Sequence, residues 1–269
     1  MTTVFDHRDT GTPEAAWQPL LHAAVPVELP DLPVLVVAAH PDDETLGAGG
    51  LIHRAGAAGR PVRVLVASDG EASHPRSATH TPSQLAVRRR REVTAAVAEL
   101  APDATVRFLG LPDGRLADHE PQLAAAVTAE LPGPALVVAP WQGDGHPDHE
   151  AAARIGATAA ELVGATGYAM TIDREHLHVV ARDRHLVHGA ARAAAVAYGR
   201  VTAEIALAVT GSPADLERKR AAILAHESQV GPDDVPEATF AATYGYEWYR
   251  RSGAPGVLDR LGNAHLVAV

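Results

Sequence analysis

The chain has 269 residues, 46% hydrophobic and 21% charged, which supplies the core of a folded domain and excludes wholesale disorder. With 23 basic and 33 acidic residues the net charge is −10, which argues against nucleic acid or an anionic membrane as partner. Cysteine is absent, which excludes disulfides, thiolate metal centres and cysteine nucleophiles, so a metal site has to come from the 15 histidines and the carboxylates.

Residues 1–31 are mixed and Pro-bearing and read as an N-terminal arm with a short helix near 15–24. The run 34–39 (VLVVAA) is continuous and apolar, as a strand buried on both faces requires. A helix follows over 44–58 and stops at Gly59. Next come a strand over 62–67 (VRVLVA), a long Ala- and Arg-rich helix over 83–100 and a strand over 106–109. A helix over 120–131, a strand over 136–139 and a helix over 149–163 complete the alternation. Strand and helix in turn predict an α/β unit, a parallel sheet wrapped by helices with right-handed crossovers. Beyond Gly167 the pattern loosens, with strands expected at 177–181 and 205–209 and a helix over 213–226 opened by Pro213. The expected organisation is a core over 32–166 with a smaller α+β portion, 167–269, packed on it. No stretch approaches the roughly 20 apolar residues of a membrane span, and no apolar segment follows a basic start, so the expectation is a cytoplasmic protein.

Two motifs stand at strand ends. The first strand runs into His40-Pro41-Asp42-Asp43-Glu44; the fourth, after a Gly-bearing loop, into His146-Pro147-Asp148-His149-Glu150. The carboxyl edge of an open α/β sheet is where ligands bind. His40 and Asp43 are three residues apart, as are His146 and His149, and such pairs share a face of a first helical turn. Pro41 and Pro147 fix φ beside them without cost at a helix start. Helix capping explains Asp and Pro in such places, but not histidine recurring with them at two strand ends. Two imidazoles and one carboxylate leave one coordination position open, the composition of a catalytic zinc site.

These residues carry a family resemblance. VVAAHPDDETLGAGG (36–50) resembles the first signature of the PIG-L / LmbE-like zinc N-deacetylases, and GDGHPDHEAA (143–152) resembles the second. Weaker matches are Ser68-Asp69-Gly70-Glu71, the Arg-x-x-Glu of Arg89 and Glu92, Leu111-Pro112-Asp113-Gly114, and Lys219 followed by His226-x-Ser228-Gln229. The resemblance implies a Rossmann-like fold and one Zn2+ per chain held by His40, Asp43 and His149. It implies hydrolysis of an N-acyl group, usually acetyl, from a small-molecule amino sugar or a glycoside of one. Asp42 matches the general base and His146 the second catalytic group; Arg89 and Asp113 match substrate-side positions. Some relatives carry Tyr two places before the second-motif histidine, where Asp144 stands here, so no Tyr contact carries over.

The expected chemistry follows. Zinc acidifies water, Asp42 takes its proton, and zinc with a protonated His146 stabilises the oxyanion. Asp148 orients His146 and favours its charged form. Either Asp42 or His146 protonates the leaving amine. Among the other residues, the Arg88–Arg91 run apart from Arg89 reads as a solvated face, and Asp69 and Glu71 as pocket lining or helix caps. The cluster of Phe240, Tyr244, Tyr246, Trp248 and Tyr249 reads as core or subunit interface, which leaves a homo-oligomer open. His74, His80, His176, His178, His185 and His188 read as surface or loop residues. Two other functions compete. A two-metal hydrolase of the metallo-β-lactamase kind shares His146-x-Asp148-His149 but needs His at position 144. An inactive zinc- or sugar-binding module would be expected to lack Asp42.

Overall fold

The computed structural model describes residues 25–26, 31–75, 77–140, 146–162, 166–172, 177–182, 207–208 and 213–230. The arm helix near 15–24, Asp144, the aromatic cluster at 240–249, and His176, His185 and His188 lie outside the described residues.

The elements in chain order are β1 (Val34–Ala38), α1 (Asp43–Ala57), β2 (Val62–Ser68), α2 (Pro82–Leu100), β3 (Thr105–Leu111), a 3-10 turn (Leu116–His119) and α3 (Glu120–Ala129). Then follow β4 (Leu136–Pro140), α4 (Pro147–Leu162), β5 (Thr166–Ile172), β6 (Leu177–Arg182), α5 (Pro213–Leu224) and α6 (Glu227–Val230). The six strands form one sheet in the order β3-β2-β1-β4-β5-β6. All neighbours are parallel except β5 and β6. Val34 lies opposite both Val62 and Leu136, which puts β1 between β2 and β4. A separate two-residue parallel pairing joins Val25–Pro26 to Leu207–Ala208.

The alternation of β1 explains the layers. Val34, Val36 and Ala38 face one side, where Leu51 and Ile52 of α1, Val93 and Val97 of α2 and Ala222 of α5 pack on them. Leu35, Val37 and Ala39 face the other, against Leu116, Leu123 and Val127 and against Ala151 and Ala152 of α4. Small residues let the helices sit close: a Cβ at Gly156 would stand 2.5 Å from Ala139 Cβ. The capping box of Thr81 and Gln84, with Pro82 in the first turn, sets the start of α2. Helices thus cover both faces of a mainly parallel sheet, as the alternation predicts. The strand over 166–172 is not announced by the sequence, because Gly, Ala and Thr interrupt its apolar pattern and pairing with β4 defines it. Among the described residues no helix is long and apolar enough to cross a membrane.

The chain runs from β1 through α1 to β2 on one side, while β4 and α4 lie on the other. The strand order therefore reverses between β1 and β4, and a crevice opens at their carboxyl ends.

Candidate functional site

The first motif fills the β1 side of this crevice. His40 and Asp43 are buried, and the Asp43 carboxylate folds back on its own turn. Its Oδ2 accepts the N–H groups of Ala39 (3.0 Å) and His40 (2.9 Å), and its Oδ1 lies 3.5 Å from His149 Nε2. His40 Nδ1 is 3.2 Å from the same His149 nitrogen. The other His40 nitrogen, Nε2, is 3.2 Å from Asp148 Oδ2 and 3.2 Å from Asp113 Oδ1. Burial lowers the basicity of His40, but the bonds to Asp113 and Asp148 outweigh it and hold its pKa well above 6.5.

The second motif opens α4. The Asp148 carboxylate is fully buried; its Oδ2 accepts the Gly114 N–H (2.7 Å) and its Oδ1 the Leu116 N–H (3.0 Å), in addition to facing His40. Burial opposes its ionisation, and these bonds hold its pKa below the usual carboxylate range. This corrects the expectation that the Asp148 carboxylate orients His146. What reaches His146 is the Asp148 backbone N–H, which donates to His146 Nδ1 (3.2 Å). An accepting Nδ1 is that of a neutral imidazole whose proton sits on Nε2. Burial, with His149 and His40 close by, presses the His146 pKa down to about 2, which favours a neutral ring where the resemblance implies an imidazolium.

The loops after β2 and β3 close the crevice. Asp113 Oδ2 accepts the Ala72 N–H (2.9 Å), and Glu71 Oε1 accepts the Asp113 N–H (3.0 Å). Arg89 reaches in from α2, only 1% exposed. Its guanidinium donates to Gly70 O (3.0 Å), to Pro41 O and to Asp42 Oδ2 (3.2 Å). Gly70 makes that seat possible: it has φ +63°, and a Cβ there would stand 1.8 Å from Arg89 Nη1. The sequence places Arg89 and Asp113 on the substrate side; the structure gives both of them protein partners, Asp42 and His40. Asp69 binds Arg90 through two bonds of 2.7 and 2.6 Å. His74, expected at the surface, is buried beside Arg89, and burial lowers its pKa to about 3.

Asp42 is the exception within its turn. Its φ of 106° makes it the one non-glycine residue with positive φ among the described residues. A residue held there costs about 1–3 kcal/mol and needs neighbours to keep it so. It sits at the start of α1, yet its side chain caps nothing. The side chain is 15% exposed, against 5% for His40 and 4% for Asp43. Burial raises its pKa to about 6; Arg89 pulls it down, and Asp43 and Glu44 push it up.

The donor set fits a divalent metal. Ring nitrogens of His40, His146 and His149 lie within 4.8 Å of one another, as do donor atoms of His40, Asp113 and Asp148. In a tetrahedral site with bonds of about 2.0–2.1 Å, ligand atoms lie roughly 3.3–3.4 Å apart. The His40 Nδ1–His149 Nε2 and His149 Nε2–Asp43 Oδ1 separations, 3.2 and 3.5 Å, bracket that value. On the far side of His40, carboxylates accept from Nε2, the usual support of a metal-binding imidazole.

Sequence reasoning missed the support of Asp42. Glu44, fully buried, accepts the Asp42 N–H on Oε2 (3.1 Å). His226, in the turn between α5 and α6, brings Nε2 to 3.3 Å from Glu44 Oε1 and 3.0 Å from Thr45 Oγ1. The His226-x-Ser228-Gln229 string signals this contact without naming its target. Ser228 in turn gives its N–H (2.7 Å) and hydroxyl (2.6 Å) to Glu92, so the Arg-x-x-Glu motif serves two ends, Arg89 at Asp42 and Glu92 at α6.

Residues 35–160 match the family model "PIG-L: GlcNAc-PI de-N-acetylase". A "1D-myo-inositol 2-acetamido-2-deoxy-alpha-D-glucopyranoside deacetylase" from Mycobacterium sp. (strain KMS) is 37% identical over 154 residues, 48% of this chain and 50% of that protein. The chain thus spans about half the length of the curated relatives it matches. In structure it is similar to the N,N'-diacetylchitobiose deacetylase of Pyrococcus horikoshii, with TM-score 0.52 and 19% identity over 85% of this chain and 79% of that one. It is also similar to GalB, the 4-carboxy-2-hydroxymuconate hydratase of Pseudomonas putida KT2440, with TM-score 0.51 and 20% identity over 84% and 88%. Both likenesses are of fold, and one is a deacetylase and the other a hydratase, so the reaction has to be argued from the site.

Proposed function

We propose, from the match of residues 35–160 to the PIG-L family model, that this chain is a zinc-dependent amidohydrolase removing the N-acetyl group of an N-acetylglucosamine-type sugar or a glycoside of one. One observation carries the reading: His149 Nε2 stands 3.2 Å from His40 Nδ1 and 3.5 Å from Asp43 Oδ1, beside a carboxylate, Asp42, that is more open than they are. We assign the metal to His40, Asp43 and His149. Nitrogen and oxygen donors without thiolate suit zinc, and the commitment of Asp113 and Asp148 to backbone N–H groups and to His40 supports one ion per chain rather than two. Bound zinc would polarise the amide carbonyl and acidify water.

The chain's own residues then divide the proton work. Asp42 Oδ2 is anchored by Arg89, and the carboxyl, with a pKa of about 6, is ionised at neutral pH. It accepts a proton from the attacking water as the new C–O bond forms. The same carboxylic acid, poised near neutrality, returns the proton to the nitrogen as the C–N bond breaks. That assignment prefers Asp42 over His146 as donor to the amine. Neutral His146 directs its Nε2–H at the carbonyl oxygen as charge develops there, where a fixed donor contributes most. Arg89 and Asp113 act on the substrate through Asp42 and His40. A cytoplasmic setting belongs to the same proposal.

The test is incubation of the purified, zinc-analysed protein with N-acetylglucosamine, N,N'-diacetylchitobiose and the myo-inositol glycoside of N-acetylglucosamine. Acetate and free amine should appear in equal amounts from at least one of them. Zinc should be near one per chain, and His149→Ala should lose it. A zinc-loaded protein that releases acetate from none of the three would point to the binding-module alternative.

A further inference from the structure

We propose that His226 is a positioning residue for Asp42, acting through Glu44 to hold the left-handed turn that aims the Asp42 carboxylate; this rests on the reading of Asp42 as the base. Asp42 holds φ 106°, a region L residues rarely adopt, so something must keep it there. Its side chain does not, because it makes no capping bond. Arg89 grips the Pro41 carbonyl and Asp42 Oδ2 from one side. From the other side, Glu44 Oε2 accepts the Asp42 N–H at 3.1 Å.

Glu44 is fully buried in the first turn of α1. Thr45 Oγ1 donates to its Oε1 at 2.7 Å. His226 Nε2, also buried, stands 3.3 Å from the same oxygen and 3.0 Å from that hydroxyl. The carboxylate is thereby pinned with Oε2 turned to the Asp42 amide. His226 comes from a point 184 residues further along the chain than Asp42 (226 − 42), at the end of α5. Glu92 accepts two bonds from Ser228 and fixes the following α6, which keeps His226 in place. A segment remote in sequence thus sets the conformation of one residue in the crevice.

The experiment uses the full chain, uniformly 15N-labelled, and follows amide hydrogen exchange at Asp42 with Val64 of β2 as the control for global opening. In Glu44→Ala and His226→Ala, Asp42 exchange should rise about 10- to 100-fold, the size expected for loss of one charge-assisted hydrogen bond. Val64 should change less than about 2-fold. With a substrate that is turned over, both variants should lower kcat with KM little changed. Added to Asp42→Asn, neither should lower kcat further, because a residue acting through the base has nothing left to position. Glu44→Gln, which keeps an acceptor oxygen, should recover part of the protection. Should His226→Ala not fold, His226→Gln enters the same comparison. Unchanged Asp42 exchange, or equal rises at Asp42 and Val64, overturns the proposal, as does a further loss of kcat in the Asp42→Asn background. If the wild type turns over none of the sugars, the functional reading fails, and the exchange data alone decide whether His226 holds the turn.

Discussion

Asp42 and Asp43 are the same amino acid one peptide bond apart, and the turn gives them opposite surroundings. Asp43 is buried with one oxygen on two backbone amides and the other toward His149, while Asp42 turns outward onto Arg89. Asp42→Asn should therefore keep its zinc while kcat falls about 10²–10⁴-fold, the usual contribution of a general base. Asp43→Asn should lose zinc. Zinc content and turnover of both variants, measured together, check this, and the reverse pattern would exchange the two roles. Asp113 gives a second test. Its Oδ1 supports His40 and its Oδ2 the loop after β2, so Asp113→Ala should weaken zinc affinity about 10- to 100-fold. Arg89→Ala should leave zinc in place and lower kcat. If both variants instead raise KM alone, with metal affinity and kcat at wild-type values, the substrate-side roles expected from the sequence are restored.

Among the elements, the ends of β1 to β4 supply the site and the sheet only brings them together. Gly70, in the loop after β2, shows how tightly they fit, since a methyl there would occupy the Arg89 guanidinium. Gly70→Ala should reproduce the kcat loss of Arg89→Ala, cost about 1–3 kcal/mol of stability, and add little to Arg89→Ala in the double variant. Equal activity of Gly70→Ala and wild type would show that Arg89 can leave its seat without consequence. The strands of the core were legible because burial on both faces demands unbroken apolar runs such as VLVVA, and two helix ends because Gly59 and Pro213 mark them. Both histidine motifs were legible because the chemistry needs rare residues in fixed spacing. What was not legible came from tertiary contact. Asp148 stands next to His149 in sequence but spends its carboxylate on His40, Gly114 and Leu116. Arg89 stands out of its arginine run only by resemblance, as a substrate-side group, and its seat depends on the φ of Gly70 and the Pro41 carbonyl beside it. Glu44 reads as an ordinary acidic first-turn residue, and only the arrival of His226 gives it a task.

At the scale of the molecule, α5 packs on one face of the sheet through Ala222, and it brings a buried charge with it. Lys219 is fully buried, its stem crosses α1 where a Cβ at Gly49 would stand 3.1 Å from Lys219 Cγ, and its Nζ has no hydrogen-bond partner among the described residues. Burial alone lowers its pKa to about 7. In the unfolded chain a lysine titrates near 10.4. Between about pH 7 and pH 10 the unfolded state therefore holds a proton that the folded state has released. Stability should climb with pH across that window, while below it both states are protonated and the burial penalty is expressed in full. Lys219→Met removes the titrating group and keeps most of the apolar stem. It should raise the unfolding free energy by about 4–5 kcal/mol at pH 6, with the advantage shrinking toward zero near pH 10. Urea unfolding of both proteins at pH 6, 7, 8, 9 and 10 measures the difference directly. A gain that stays constant over this range would mean that Lys219 finds a partner and is charged throughout. A loss at every pH would mean that the ammonium contributes to docking α5. Either result would also alter the account of His226, because α5 is the element that delivers it to Glu44.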